Sequence, residues 1–185
     1  AALKSDGTVV TWGSSSYGAD SSAVSSQLTG VINIYPNDNA FAALKSDGSV
    51  VTWGRSTDGG GNPTGGNSSS VSSQLTGVIN IFSTDSAFAA LKSDGTVISW
   101  GKNPPSSSVS SQLTGVTNVY SNNNAFAALK SDGSVVTWGD SSFGGNSSSV
   151  SSQLTGVTNV YSNRYAYAAL KSDGTVVTWG SSSYG

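Results

Sequence analysis

Short apolar runs alternate with turn residues along the whole chain. The run "AFAALK" (residues 40–45) is separated from "SVVTWG" (residues 49–54) by a Ser-Asp-Gly turn. Asp-Gly between two apolar runs is a strong hairpin signal, because the turn needs the positive φ angles that Gly and Asp tolerate. Both runs place apolar residues on both faces of a strand, as in small sheets sandwiched between neighbours. The pattern therefore predicts an antiparallel hairpin covered on both sides.

Two further segments extend this predicted sheet. The stretch "VINIY" (residues 31–35) is rich in β-branched and aromatic residues and predicts a third strand. Before it, "SSAVSSQL" (residues 21–28) fits either a fourth edge strand or a short helical turn, and we favour the edge strand. Since no segment shows a sustained 3.6-residue apolar period, the sequence predicts almost no helix.

The hairpin belongs to a unit that recurs along the chain. The phrase "ALKSDG" occurs five times, with its lysine at Lys4, Lys45, Lys92, Lys130 and Lys171. We treat residues 1–185 as one repeat domain with units 1–39, 40–86, 87–124 and 125–165 and a partial unit 166–185. One such sheet cannot bury its own surface, whereas a stack of sheets can. The predicted fold class is therefore all-β, with propeller-like blades stacked face to face.

The first and last eighteen residues are identical, and both read "AALKSDGTVVTWGSSSYG". This identity is compatible with a segment of a longer array, the interpretation we favour. It also fits five adjacent blades of which the first lacks its "VINIY" strand. For the arrangement of the blades, the sequence leaves two alternatives open: part of a larger propeller, or an open superhelical array.

Composition narrows the range of functions. The 185 residues include no Cys, Met or His, and all ten acidic residues are Asp. The chain thus lacks thiolate nucleophiles, disulfides, the usual general base near neutral pH and the commonest metal ligand. With 10% charged residues and a net charge of −2, it has no basic field for nucleic acid. We expect no enzymatic activity, no cofactor, no metal, no nucleic-acid partner and no membrane insertion.

The repeated motif resembles a known propeller family. The stretch "AFAALKSDGSVVTWG" (residues 40–54) is similar to the blades of the regulator of chromosome condensation family, which carry hydrophobic-Ala-Leu, Asp-Gly and Trp-Gly in this order. The "VINIY" strand before it and the "YG" dipeptides after it, at Tyr17-Gly18 and Tyr184-Gly185, occupy the expected places. The resemblance implies a β-propeller with blades of about 40–50 residues.

The chain also departs from that family. The family's His at the start of the Ala-Leu strand is replaced by alanine at Ala40, Ala87, Ala125 and Ala166. Its Gly-Gln-Leu-Gly segment is replaced by Ser-rich sequence. The founding member catalyses nucleotide exchange on a small GTPase while bound to chromatin, and no residue set here matches that activity. The units are more similar to the uniform tandem forms in long bacterial and algal surface or secreted proteins.

Residues repeated in every unit have competing structural and functional interpretations. The Asp of each Asp-Gly turn suits calcium ligation or turn formation, and we favour the turn because no Asp-x-Asp-x-Asp spacing occurs. The five repeated tryptophans suit sugar stacking or packing between blades, and we favour packing. The triplets Asn67-Ser68-Ser69 and Asn146-Ser147-Ser148 match the N-glycosylation motif, although chance matches arise in so Ser-rich a chain.

Residues that break the repeat are the better binding candidates. The loop after Trp-Gly changes length, whereas the tip before the Ala-Phe strand keeps its length and changes identity. The four tips are "PNDN" (36–39), "STDS" (83–86), "SNNN" (121–124) and "SNRY" (162–165). Fixed backbone with varied side chains is typical of repeat scaffolds that bind a partner, and also of neutral variation at a solvated turn. Our candidate binding residues are Arg164, Tyr165, Asp38, Asp85, Asn123 and Arg55, led by Arg164-Tyr165 because Arg and Tyr are enriched at binding hot spots.

Together these features predict a non-enzymatic repeat scaffold or protein-interaction module, outside the cell or at its surface. One alternative is a structural component of an extracellular filament or surface layer, in which repeats of different chains associate. A second alternative is a lectin-like glycan binder. The expected partner is accordingly a protein or another copy of the chain, with a glycan as the further alternative.

Overall fold

A computed structural model describes residues 1–184, so that Gly185, the end of the predicted fifth unit and of its "YG" dipeptide, lies outside the described residues. The fold is all-β, with four three-stranded antiparallel sheets and one two-stranded sheet. The strands are β1 (Ala2–Leu3), β2 (Val9–Val10), β3 (Val31–Pro36), β4 (Ala40–Lys45), β5 (Val50–Gly54), β6 (Val78–Ser83), β7 (Ala87–Lys92), β8 (Val97–Gly101), β9 (Val116–Ser121), β10 (Ala125–Lys130), β11 (Val135–Gly139), β12 (Val157–Ser162), β13 (Ala166–Lys171) and β14 (Val176–Gly180).

Each three-stranded sheet has its strands in chain order. In the sheet β3-β4-β5, the "AFAALK" strand lies in the middle and pairs with "VINIY" on one side and "VVTWG" on the other. Phe41 is opposite Trp53, and Ala43 is opposite Val51. Because the Asp-Gly hairpin and the third strand recur in all four sheets, the predicted all-β, blade-like fold is confirmed.

The prediction of an edge strand over residues 21–28 is wrong. The segment Ser22–Gln27 is a 3-10 helix, and later repeats have a short 3-10 or α-helical turn at the same place: Ser72–Gln74, Ser107–Ser110 (α1) and Ser151–Gln153. The Ser25 hydroxyl donates to the carbonyl of Ser22 at 3.0 Å, a local bond that competes with a sheet ladder. Two more 3-10 segments follow Trp-Gly, at Ser15–Tyr17 and Ser141–Phe143. Within residues 1–184, no helix is long and apolar enough to cross a membrane.

The chain divides into two compact units, which are larger than the predicted repeats and are called unit 1 and unit 2 from here on. Unit 1 comprises Ala1–Ser93 and Ile98–Lys102, and unit 2 comprises Asp94–Val97 and Asn103–Gly185. Each three-stranded sheet joins an outer strand from one predicted repeat to the hairpin of the next, since β3 ends at Pro36 and β4 begins at Ala40. The division of the sequence into four repeats and a partial fifth stays a prediction.

The core of unit 1 lies between successive sheets. One face of β4 (Ala40, Ala42 and Leu44) is buried in a cluster with residues that lie in the next sheet, β6-β7-β8, or just before it: Leu75, Val78, Ile81, Phe88, Ala90 and Trp100. The opposite face contributes Ala43 to a second cluster, with Leu28, Val31, Val51 and Trp53. The small alanine side chains let the neighbouring sheet approach closely. The middle strand is therefore covered on both sides by other segments, as its sequence predicts.

Unit 2 repeats the same packing. Ala125, Ala127 and Leu129 of β10 are buried in one cluster with residues that lie in the following sheet, β12-β13-β14, or just before it: Leu154, Val157, Val160, Tyr167, Ala169, Val177 and Trp179. The hydroxyl of Tyr120 on β9 donates to Asn159 on β12, just as Tyr35 in unit 1 donates to Asn80 at 2.9 Å. In each unit, polar and apolar contacts thus join one repeat to the next.

Candidate functional site

Four of the five repeated tryptophans are buried. The indole N–H groups of Trp53, Trp100 and Trp179 donate to a backbone carbonyl of the preceding repeat at 3.0–3.1 Å. Each buried ring stacks on the aromatic residue opposite it in the hairpin, in the pairs Phe41–Trp53, Phe88–Trp100, Phe126–Trp138 and Tyr167–Trp179. The packing interpretation is confirmed for these four, whose burial leaves no face for a sugar. Trp12 differs, since it is 65% exposed.

The repeated aspartates form the hairpin turns. Oδ1 of Asp47 accepts hydrogen bonds from the hydroxyl of Ser49 at 2.6 Å and from its N–H at 2.9 Å. These bonds lower the pKa of the Asp47 carboxyl, with a smaller contribution from Lys45. The same pair of bonds occurs at Asp6, Asp94, Asp132 and Asp173. The turn interpretation is confirmed, and residues 1–184 contain no group of three acidic side chains placed to bind a metal ion.

The backbone of the tips is fixed by an asparagine that sequence reasoning did not single out. Oδ1 of Asn37 accepts from the N–H groups of Asn39 at 2.8 Å and Ala40 at 2.7 Å. Its Nδ2 donates to the carbonyl of Thr64 at 3.0 Å. Asn122 and Asn163 make the same three bonds in their own tips. The signal was present in the sequence, because three of the four tips carry Asn at this position.

In unit 1, the candidate residues of two tips and one loop are brought near each other. Asp38 is exposed, and Asp85 is half-buried in the next tip. The side chain of Asn39 joins the two tips, since its Nδ2 donates to the carbonyl of Asp85 at 2.9 Å and to the hydroxyl of Ser86 at 3.2 Å. The N–H of Arg55 donates to the carbonyl of Asn39 at 2.9 Å, which ties the loop after Trp-Gly to the same tip.

The side chain of Arg55 contacts two neighbouring residues of unit 1, Thr57 and Tyr17. Its Nε donates to the carbonyl of Thr57 at 2.7 Å, and its guanidinium lies over the ring of Tyr17, 5.5 Å from the centroid. Its Nη1 also donates weakly to the Tyr17 hydroxyl at 3.4 Å. Arg55 is half-buried, and its Nε and Nη1 groups already have hydrogen-bond acceptors.

In unit 2, Arg164 and Tyr165 lie in a cluster of aromatic rings. The ring of Tyr165 lies 5.4 Å from that of Phe143 and 4.4 Å from that of Tyr184. The guanidinium of Arg164 lies over the Tyr165 ring, 5.4 Å from its centroid. Arg164 is exposed and Tyr184 is 60% exposed, so these four residues, the aromatic cluster, present both charge and apolar surface to solvent. Asn123 is half-buried in the neighbouring tip of unit 2.

Phe143 and Tyr184 are members of the cluster that sequence reasoning missed. Each lies in the segment that follows a Trp-Gly, just before a glycine. Gly144 has φ of +90°, and a side chain there would come within 2.8 Å of the Tyr167 ring. This glycine lets the loop lie flat on the buried ring and so fixes the position of Phe143 beside the tip. The aromatic-Gly dipeptide was the available signal.

The charges of the repeat are divided between its two kinds of turn. The five lysines and five aspartates of the "KSDG" turns cancel in number. The other charged residues all lie in tips or after a Trp-Gly, and they are Arg55, Lys102 and Arg164 with Asp20, Asp38, Asp58, Asp85 and Asp140. The net charge of −2 and all differences in charge between repeats therefore belong to these variable segments.

Comparison with known proteins identifies the fold. No family model matches the chain, and no curated protein is significantly similar to it in sequence. Among solved structures, Prp20p from Saccharomyces cerevisiae is 18% identical with a TM-score of 0.53, over 81% of this chain and 44% of Prp20p. Yeast RCC1 (Prp20) bound to Kap60 is 18% identical with a TM-score of 0.53, over 81% of this chain and 43% of that protein. The ectodomain of the receptor kinase CR4 from Physcomitrella patens is 15% identical with a TM-score of 0.50, over 82% of this chain and 39% of that protein.

The chain resembles the propeller repeats of RCC1. The expected resemblance is therefore confirmed at the level of the fold. At identities below 25% the likeness shows the fold alone. The chain spans about two fifths of the length of these proteins, and the partners named for Prp20p are partners of that protein.

Proposed function

We propose that this chain is a non-enzymatic scaffold of RCC1-like repeats that binds a protein partner outside the cell or at its surface. The observation that carries the proposal is the aromatic cluster of unit 2. It combines an exposed arginine with three aromatic rings on a tip whose backbone is fixed by Asn163. The other tips of the described chain lack this combination of residue types.

The rings of the cluster contact one another in the chain without a partner. Tyr165 is held between Phe143 and Tyr184, and Asn163 donates to the carbonyl of Tyr184 at 2.7 Å. Side chains that are already ordered lose little conformational entropy on binding, which favours affinity. Arg and Tyr are also the residue types that most often dominate binding energy at protein interfaces.

The cluster also indicates the chemistry of the partner. No salt bridge to Arg164 occurs among residues 1–184, so its guanidinium can form a bidentate pair with a carboxylate. The adjacent rings offer an apolar surface to a neighbouring side chain. A partner segment with an acidic residue beside an aromatic or aliphatic one therefore fits the cluster best.

Selection from a random peptide library displayed on phage tests the proposal with the folded chain as bait. The enriched peptides should carry an acidic residue next to an apolar one. Arg164→Ala should weaken their binding roughly thirtyfold, the equivalent of about 2 kcal/mol for a hot-spot side chain. Lys102→Ala is the control, because Lys102 is also a cation in a variable segment but belongs to unit 1 and is not a candidate binding residue.

Two results would overturn the proposal. Enriched peptides that bind Arg164→Ala and the unmodified chain equally would remove the cluster from the interface. Failure of any peptide to be enriched, together with specific binding on a glycan array, would replace the protein partner with a sugar.

A further inference from the structure

Two asparagines outside the aromatic cluster are exposed and take part in the fold through their side-chain oxygen. Asn67 and Asn146 are both exposed and stand at equivalent places, before the short helical turns. Oδ1 of Asn67 accepts from the N–H of Ser69 at 2.9 Å, and Oδ1 of Asn146 accepts from the N–H of Ser148 at 2.9 Å. Neither Nδ2 group donates a hydrogen bond to any residue of the described range.

Five other asparagines use their amide nitrogen in the fold. Nδ2 donates to a protein oxygen at Asn37, Asn39, Asn62, Asn122 and Asn163. Substitution of those nitrogens would break a structural bond, whereas substitution at Asn67 or Asn146 would break none.

The first repeat shows that the turn does not need an amide nitrogen. At the equivalent place it has Asp20, whose Oδ1 accepts from the N–H of Ser22 at 2.9 Å. A carboxylate therefore forms the same turn as the two asparagines. The fold requires only the oxygen, and the Nδ2 groups of Asn67 and Asn146 have no structural role.

We propose that Asn67 and Asn146 are acceptors of N-linked glycans. Each heads an Asn-Ser-Ser triplet whose third serine, Ser69 or Ser148, is exposed. In the transfer, Nδ2 forms a bond to C1 of the first sugar of a lipid-linked oligosaccharide pyrophosphate. The bond from C1 to the pyrophosphate oxygen breaks, the lipid pyrophosphate leaves with the electron pair, and Nδ2 loses one proton.

The modified side chain remains compatible with the turn. The product is still an amide, so its oxygen continues to accept the N–H two residues later. The inference rests on the extracellular location in the proposed function, because such glycans are added in the secretory pathway. It predicts sugars at two separate loops that do not include the aromatic cluster.

Secretion from a eukaryotic host, behind an added signal sequence, tests the acceptor sites directly. Intact mass should show two N-glycans that peptide N-glycosidase removes, with conversion of Asn67 and Asn146 to aspartate in the tryptic peptides. Asn67→Asp and Asn146→Asp should each abolish one glycan and leave the unfolding temperature unchanged, since Asp20 shows that Asp forms this turn. Asp20→Asn should add a third glycan, because Ser22 completes the triplet.

Secreted, folded chain without a glycan at either position would overturn the inference. So would glycosylated chain that is unfolded while Asn67→Asp/Asn146→Asp is folded. Because the signal sequence is supplied, failure here concerns the acceptors and not the natural location. The peptide selection with Arg164→Ala is an independent result, so the two proposals fail separately.

Discussion

Gly48 offers a direct measure of how strongly one sheet depends on the next. It lies in the Asp-Gly turn between β4 and β5 with φ of +76°, and a Cβ there would lie 3.0 Å from Cα of Gly77. Val78 donates its N–H to the carbonyl of Gly48 at 2.9 Å, so the turn is hydrogen-bonded to the first strand of the next sheet. Gly48→Ala therefore introduces both backbone strain and a collision with neighbouring backbone.

The two costs can be separated by a matched variant. A left-handed conformation costs a non-glycine residue about 1–2 kcal/mol, and overpacking adds about 1–3 kcal/mol. Gly174 lies in the equivalent turn of the sheet β12-β13-β14 with φ of +82°, but nothing lies within 4 Å of its added Cβ. Gly174→Ala should therefore cost only the first amount, and Gly48→Ala the sum of about 2–5 kcal/mol.

Urea denaturation followed by tryptophan fluorescence and far-ultraviolet circular dichroism measures both variants. We expect a clearly lower midpoint for Gly48→Ala than for Gly174→Ala at similar m-values. Equal loss in the two variants would refute the reasoning, because the contact with Gly77 would then contribute nothing.

Three further predictions concern side chains. Trp53→Phe leaves the buried carbonyl of Gly18 without its donor and should lower the free energy of unfolding in urea by about 1–3 kcal/mol. Trp12→Phe, at an exposed ring, should lower it by almost nothing. Equal effects of the two variants would contradict the packing role of Trp53. Asn122→Ala removes the acceptor for two tip N–H groups and should cost about 1 kcal/mol, and thermal unfolding that does not change would contradict this. Because hydrogen bonds from Ser49 lower the folded-state pKa of Asp47, their stabilisation is present above the unfolded pKa of about 3.9 and is lost as pH falls through the folded value. Ser49→Ala should weaken this acid sensitivity in melts between pH 6 and about 2, and an unchanged pH profile would contradict the assignment.

Local sequence signals were sufficient for the hairpins and insufficient for the segments between them. Asp47-Gly48 and the β-branched and aromatic residues of "VINIY" specify turn and strand through neighbours in the chain, and both were predicted. The helical turn at Ser22–Gln27 depends on hydroxyl bonds to the backbone and on burial of Leu28, 3% exposed. Such tertiary packing cannot be inferred from the β-branched and serine residues of that segment.

The candidate site was predicted in part for a related reason. Arg164 and Tyr165 stood out because they break an otherwise uniform repeat. Phe143 and Tyr184 come from other loops, and only the folded backbone brings their rings against Tyr165. Asp38, Asp85, Asn123 and Arg55 stay predictions as binding residues.

The central claim is that each small sheet is stabilised chiefly by the repeats beside it. In β4, Ala42 and Ala43 are both fully buried, yet they belong to different clusters on opposite faces. Circular dichroism of a peptide spanning residues 31–54, the complete sheet β3-β4-β5, tests this claim most directly. The account predicts an unfolded peptide without a thermal transition, under conditions in which the whole chain is folded. A cooperative melt of the isolated sheet would contradict it.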